Sequence, residues 1–250
     1  MKKTLLTLAA LSSVGAASAA IISVRVDQDT YVRNDGGPAI NNDDTDNEML
    51  IGSNSGSVNG DNLHGLVGFD VTTLVNDVNT IGGGNFGNLT INSATLTVYE
   101  RRGRAFNHTL SVNEYSFGFV DSVSSWADPD GDGSGATGDT TPGGTAGLLL
   151  GSEALVWGAA FSDDEQAVIS LTGSGLASAI QNADSLGTVN FILRSVDVDA
   201  AQDFISITSD RSANTDRHAL LDIDYTVVPE PSSTALIGLA GLGLMIRRRR

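Results

Sequence analysis

Hydrophobic residues occur at every second position along much of this chain. Near its end, Leu221, Ile223, Tyr225 and Val227 alternate with polar residues. Successive side chains of a β-strand point to opposite faces, so this period indicates half-buried strands rather than helices. The same alternation predicts strands over residues 22–26, 66–71, 94–99, 109–115, 189–193, 204–208 and 221–227.

The segments between the predicted strands are rich in Gly, Asn and Asp, which favour turns. One short helix is predicted over residues 174–183, where Leu176 and Ile180 are four positions apart. There is no internal repeat and no interdomain linker. Many short strands with polar loops therefore predict one all-β domain over residues 21–227, a single β-sandwich of jelly-roll type. The longest polar segments cover residues 34–46, 53–62, 82–88 and 128–145.

The N-terminus has the pattern of a secretory signal peptide. Two lysines precede an apolar stretch over residues 4–14, and a small-x-small cleavage site follows it. We expect cleavage after Ala19 or Ala20. Residues 1–20 are therefore predicted to form a signal helix that the Sec translocon and signal peptidase recognise, and the rest of the chain is predicted to be exported.

The C-terminus carries a second apolar segment, which is short for a membrane span. It covers residues 234–246, or about 20 Å of helix, whereas a bilayer core is about 30 Å thick. Extending it to residues 232–246, with flanking arginines that reach the interface, gives a short transmembrane helix. The arginines should stay in the cytoplasm, which places the body outside. The segment lies between a tripeptide and a basic cluster: Pro229, Glu230, Pro231, Arg247, Arg248, Arg249 and Arg250.

This tail, residues 228–250, resembles the PEP-CTERM sorting signal of bacteria. The resemblance rests on the Pro-Glu-Pro tripeptide, the Gly-, Leu- and Ala-rich run and the closing arginines, in that order. It implies recognition by an exosortase, a membrane protease that cleaves near the tripeptide, in bacteria that make exopolysaccharide. The body would then lie at the cell surface or in an extracellular, biofilm-type matrix. The alternative is a permanent single-span anchor without a sorting enzyme.

The charge and composition of the body exclude several classes of function. Residues 21–228 hold 8 of the 14 basic and 29 of the 30 acidic residues, a net charge of −21. Such a surface repels nucleic acid and anionic lipid and attracts divalent cations. The chain has no cysteine, which excludes thiol catalysis and cysteine-ligated metals.

Several segments of the body share the pattern of one known module. They are residues 29–32, 65–71, 91–99, 209–211 and 221–225, with two tryptophans between the third and the fourth. These segments resemble the DNRLRE-type domain, a jelly-roll module related to carbohydrate-binding modules. The resemblance implies a jelly-roll fold and contact with an exopolysaccharide.

The loop after residue 127 has the spacing of a calcium-binding loop. Oxygen ligands at alternate positions can surround one hard cation, and glycine permits the sharp turn. Calcium binding is therefore one hypothesis, and an acidic glycine-rich loop without a metal is the alternative. The carboxylates stand at positions 1, 3, 5 and 12 of the loop: Asp128, Asp130, Asp132 and Asp139.

Trp126 and Trp157 are the side chains on which a sugar ring would stack, because an indole presents a flat face; filling the core is the alternative for both. The sequence contains no recognisable catalytic motif. We therefore expect a non-catalytic structural or adhesive protein. One alternative is a calcium-dependent carbohydrate-binding module. Another is a polysaccharide lyase or glycosidase, because a fold does not determine function.

Overall fold

A computed structural model describes residues 17–33, 40–41, 48–52, 63–103, 107–114, 148–156, 166–182, 187–195, 204–210 and 212–230. Within these ranges the strands are β1 (Ser18–Arg33), β2 (Ile40–Asn41), β3 (Glu48–Gly52), β4 (Leu63–Asp70), β5 (Leu89–Gly103), β6 (Asn107–Glu114), β7 (Leu149–Val156), β8 (Gln166–Leu171), β9 (Thr188–Ser195), β10 (Phe204–Thr208) and β11 (Leu220–Val227). The helices are α1 (Thr72–Thr80) and α2 (Gly173–Asn182), and two short 3₁₀ turns cover Phe86–Asn88 and Thr215–Arg217.

The first sheet is antiparallel and has the strand order β1, β11, β5 and β8. Only the first half of β1 belongs to it, from Ser18 opposite Val227 to Arg25 opposite Leu220. Strand β11 alternates between buried and half-buried residues along its whole length. Its apolar residues therefore face the other sheet, as the two-residue period predicts.

The second sheet has the order β7, β6, β9, β4, the second half of β1, and β2. Strand β3 joins the end of β4 through the pair Gly52 and Leu63, and β10 pairs with β3 along its length. All of these pairings are antiparallel. The central strand β4 is buried at every position from Leu63 to Phe69.

Strands β1 and β5 belong to both sheets. The register of β1 shifts between Val26 and Gln28, where it leaves β11 and begins to pair with β4. The last residues of β5, Arg102 and Gly103, pair with β10 after an irregularity of their own. A bulge bends a strand and increases its twist, so these two long strands form the corners at which the sheets meet.

A hydrophobic core fills the space between the two sheets. The rings of Phe69 and Phe191, on the neighbouring strands β4 and β9, lie 5.7 Å apart with a tilt of 47°, which is a favourable aromatic arrangement. Burying one side chain of this size stabilises a fold by roughly 1.5–3 kcal/mol. The largest completely buried side chains include Tyr225, Phe69, Phe191, Met49, Leu96 and Leu110.

Two short helices lie on the sandwich, whereas the sequence predicted one. Helix α2 matches the predicted helix and buries Leu176 and Ile180. Helix α1 was missed because its Thr-, Val- and Asn-rich sequence has poor helix propensity; it is held by the burial of Leu74 and Val78, which are four positions apart. No helix in the described ranges is long and apolar enough to cross a bilayer.

The prediction of an all-β sandwich is confirmed, and each of the seven predicted strands overlaps an observed one. Strands β2, β3, β7 and β8 were not predicted. The predicted first strand, residues 22–26, is part of a longer one that begins at Ser18. Residues 1–16 of the predicted signal helix and the tail helix over residues 232–246 lie outside the described residues. The last residues of the predicted signal segment, 18–20, are not helical, because they belong to β1 and pair with β11.

Candidate functional site

The structure describes only some of the residues that the sequence singled out. Pro229, Glu230, Ala19 and Ala20 lie within the described ranges. Calcium binding, sugar stacking and the cytoplasmic basic cluster therefore stay predictions. Among the described residues, no group of three or more His, Asp or Glu side chains is placed to hold a metal ion. The predicted residues outside the described ranges are Trp126, Asp128, Asp130, Asp132, Asp139, Trp157, Pro231, Arg247, Arg248, Arg249 and Arg250.

The two ends of the body meet at one end of the sandwich. The start of β1 pairs with the end of β11, with Ser18 opposite Val227 and Ala20 opposite Tyr225. Cleavage after Ala20 would leave five of the eight residue pairs between these strands, beginning at Ile21. The new N-terminus and the sorting tail would therefore leave the body side by side.

The turn between α1 and β5, residues 81–88, lies beside these strand ends and is named the Gly83 turn below. Gly83 and Gly84 have φ angles of +66° and +80°, which glycine adopts without the steric cost that other residues meet. The side-chain amide of Asn88 donates to the Gly82 carbonyl at 3.0 Å. These constraints give the turn one defined conformation. Three backbone hydrogen bonds also close it, from Gly84 to Val78, from Asn85 to Gly82 and from Asn88 to Asn85.

The Pro-Glu-Pro tripeptide begins directly on the Gly83 turn. The backbone N–H of Val228 donates to the carbonyl of Asn88 at 2.9 Å, one residue after β11 ends. The side chain of Glu230 then lies over Gly83, because a Cβ atom placed on that glycine would be 2.6 Å from the Glu230 Cδ. Pro229 is half-buried and Glu230 is exposed. The carboxyl group therefore rests on the turn and still faces solvent.

A buried tyrosine fixes α1 beside the same end of the sandwich. The hydroxyl of Tyr225, on β11, donates to Oδ2 of Asp77 at 2.7 Å. Burial raises the pKa of this phenol, and the hydrogen bond to Asp77 and its negative charge raise that pKa further. The hydroxyl therefore stays protonated and remains a donor to α1.

A second polar cluster joins β1 to the chain after β10. The hydroxyl of Ser209 donates to Oδ1 of Asp29 at 2.7 Å, and the backbone N–H of Asp210 donates to Oδ2 at 2.6 Å. Burial and, after it, the nearby charge of Asp210 together raise the pKa of Asp29 to about 7, against the opposing effect of these hydrogen bonds. Sequence analysis did not assign these residues a role, although both segments belong to the resemblance named above. Their function in this structure is to hold two strands together.

The outer face of the first sheet carries short polar side chains. Ser23 donates to Oδ1 of Asp222 at 2.5 Å, and the register places Thr95 and Ser170 next in the same row across the four strands. The neighbouring carboxylate of Asp224 accepts a hydrogen bond from Asn92 at 2.9 Å. The hydroxyls and carboxylates give this face several hydrogen-bonding groups beside two exposed apolar side chains, Ile21 and Val168, and sequence analysis did not single it out.

The comparisons with known proteins identify the tail. Residues 227–250 match the PEP-CTERM protein-sorting motif, which confirms the predicted sorting signal. The motif implies exosortase-dependent export, recognition by an exosortase-type sorting system and membrane anchoring through the tail.

Similarity over the body is weak. No curated protein is significantly similar in sequence. Among solved structures, the chain is similar to the K1 cleaved adhesin domain of Lys-gingipain from Porphyromonas gingivalis W83, with 10% identity, a TM-score of 0.26, and coverage of 86% of this chain and 99% of that domain. A score this low establishes neither a shared fold nor a shared function, and the DNRLRE resemblance stays a prediction.

Proposed function

We propose that the chain is an exported bacterial protein of the cell surface or exopolysaccharide matrix, sorted by an exosortase-type system, with a structural or adhesive role. The observation that carries this proposal is the direct join between the sandwich and the sorting motif. The last strand ends at Val227, and the motif begins there without a linker. The β-sandwich is therefore the cargo that the tail delivers.

The surface of the body suits a hydrated matrix. Its net charge of −21 over residues 21–228 favours solubility and suppresses association with anionic polymers. The outer face of the first sheet adds a row of hydroxyls and a carboxylate that would bind water, sugar hydroxyls or cations.

Cell fractionation tests the location. The full chain would be expressed in a bacterium with an exosortase-type system and in the same strain without that enzyme. We expect the body in the surface or matrix fraction of the first strain and in the membrane fraction of the second. A body that stays in the cytoplasm of both strains would contradict the proposal.

Carbohydrate binding is the second candidate, and the polar outer face of the first sheet favours it. Trp126 and Trp157 are proposed as stacking residues for the same ligand. A glycan array probed with the full chain, with and without calcium, would measure it. Retention of acidic or neutral exopolysaccharide that is lost on Trp126→Ala or Trp157→Ala supports this candidate, whereas no retention on any glycan refutes it.

Calcium at Asp128, Asp130, Asp132 and Asp139 is proposed as the cofactor of that binding. Isothermal titration with calcium should give a saturable heat of binding. Asp130→Ala should lower the calcium affinity by about tenfold or more, since a cation site loses one of its charged ligands. The matched control is Asp46→Ala, in a second acidic segment that covers residues 43–48. Equal heats for both variants would reject a site at this loop.

The enzyme alternative predicts that the protein cleaves a polysaccharide. Incubation of the full chain with acidic polysaccharides would release unsaturated ends if it were a lyase and reducing ends if it were a glycosidase. We expect neither, and either product would replace the structural proposal by an enzymatic one.

A further inference from the structure

We propose that the Gly83 turn is part of the sorting signal, because it presents the carboxylate of Glu230 to a cationic site of the sorting enzyme. The sorting enzyme would then recognise a folded surface in addition to the linear tail. This inference rests on the proposed function, since its partner is the exosortase-type enzyme.

The backbone around Glu230 has little conformational freedom. Val228 precedes Pro229 and Glu230 precedes Pro231, so both residues are restricted to extended conformations, and each proline has a fixed φ angle. The hydrogen bond from Val228 to Asn88 joins this extended segment to the body. The position of Glu230 relative to the sandwich is therefore set by only a few rotatable bonds.

The side chain of Glu230 occupies a space that only a glycine at position 83 leaves open. A Cβ atom there would lie 2.6 Å from Cδ and 2.7 Å from Oε2 of Glu230, which is closer than real Cβ contacts allow. Any larger residue at position 83 would therefore displace the carboxyl group. Gly84 provides the comparison, because a Cβ atom on it would meet only the Asn79 Oδ1, at 3.7 Å.

The carboxylate is chemically available to a partner. Glu230 is exposed, and among the described residues no hydrogen bond or ion pair engages its carboxyl oxygens. A guanidinium or ammonium group of the enzyme could approach it and form charge-assisted hydrogen bonds. Because the prolines and the hydrogen bond from Val228 to Asn88 already restrict the backbone around Glu230, binding would lose less conformational entropy than it would with a free tail.

The test compares full-length variants in cells that contain the sorting enzyme, by the rate at which each chain is converted to its tail-less form. Glu230→Gln should slow conversion by about tenfold or more, because the variant loses one charge-assisted hydrogen bond to the enzyme. Gly83→Ala should slow it by several-fold with the tripeptide intact, whereas Gly84→Ala should stay within about twofold of the wild type. Both alanines would have a positive φ, so the two variants share the same backbone strain.

A second variant separates presentation from folding. Inserting Gly-Ser between Val228 and Pro229 keeps every residue of the body and of the tripeptide but moves Glu230 away from the Gly83 turn. We expect conversion to slow as it does for Gly83→Ala, while protease resistance of the body stays that of the wild type. If Gly83→Ala makes the body protease-sensitive, its conversion rate depends on folding as well as on the presentation of Glu230. The insertion variant alone then tests the proposal.

Three results would overturn the inference. Equal conversion of the wild type and the insertion variant would show that the enzyme reads the tail alone. Faster conversion of the Gly83→Ala variant would show that the turn masks Glu230. Absence of conversion in the wild type would refute the proposed sorting itself, and with it this inference.

Discussion

At the scale of single residues, Asp29 joins distant parts of the chain. Its two carboxyl oxygens accept hydrogen bonds from Ser209 and from the backbone of Asp210, about 180 positions away in sequence. Its pKa of about 7 reflects burial first and the charge of Asp210 second. The carboxyl therefore keeps its proton in the folded body at mildly acidic pH.

This raised pKa gives a stability prediction for Asp29→Asn. In the unfolded chain the carboxyl loses its proton near its ordinary pKa of 3.8, whereas the folded body retains it until about pH 7. The contribution of Asp29 to stability is therefore full below pH 4 and is lost as the pH rises to 7. Relative to the variant, the wild type should lose roughly 2–4 kcal/mol of unfolding free energy between pH 4.5 and pH 8.

Urea denaturation at both pH values measures this difference. The asparagine variant keeps one acceptor and one donor for the same partners, so it isolates the effect of the charge. Parallel pH profiles for the two proteins would contradict the assignment.

Tyr225 gives a second prediction at this scale. Tyr225→Phe removes the hydroxyl that donates to Asp77 and leaves the buried ring in place. We expect the unfolding free energy to fall by about 1–2 kcal/mol, because a half-buried carboxylate loses its donor. Urea midpoints would show the loss, and Asp77→Asn, which retains an acceptor, should cost less. Unchanged midpoints for Tyr225→Phe would exclude a role for the bond in holding α1.

At the scale of elements, the sequence predicted the strands whose two faces differ. Strand β11 alternates from Leu220 to Val227, and its prediction is accurate to one residue. Strand β7, which reads Leu-Leu-Gly-Ser-Glu-Ala-Leu-Val, places two apolar residues together where a bulge interrupts the ladder, so the period is lost. Helix α1 was missed because tertiary packing of Leu74 and Val78, rather than local propensity, makes it helical.

The contact site on the Gly83 turn was equally hard to predict. The sequence shows three glycines at positions 82–84 next to the end of α1, and these indicated only a turn. That Glu230, almost 150 positions later, lies over Gly83 depends on the pairing of β11 with β5. Such a contact follows from the register of two strands, which a single sequence does not give.

The edges of the two sheets meet between β7 and β8, and this contact gives a third prediction. A Cβ atom on Gly151 would lie 2.4 Å from the carbonyl oxygen of Ser170, and the backbone N–H of Thr172 donates to Leu150 at 2.6 Å. Gly151→Ala should therefore force the edges apart and cost about 1–3 kcal/mol of unfolding free energy. Thermal and urea unfolding would measure it.

The matched control for this prediction is Ser152→Ala on the same strand, where the side chain is exposed. It should stay within about 0.5 kcal/mol of the wild type. Equal effects of the two substitutions would mean that the edges are not in close contact.

At the scale of the whole molecule, the fold places the start of β1 and the end of β11 on one side of the body. The first residues of β1 pair with the last residues of β11, and the sorting motif starts at residue 227. A precursor held by both ends would therefore have this side of the sandwich toward the membrane. The outer faces of the sheets would remain open to the matrix.

Mass spectrometry of the C-terminus of the mature protein tests the proposed sorting most directly. The protein would be purified from the surface or matrix fraction of cells that contain an exosortase-type enzyme. Sorting predicts a chain that begins near Ala20, ends close to Glu230 and lacks the closing arginines. A surface protein that still ends at Arg250 would contradict sorting and would establish a permanent anchor instead.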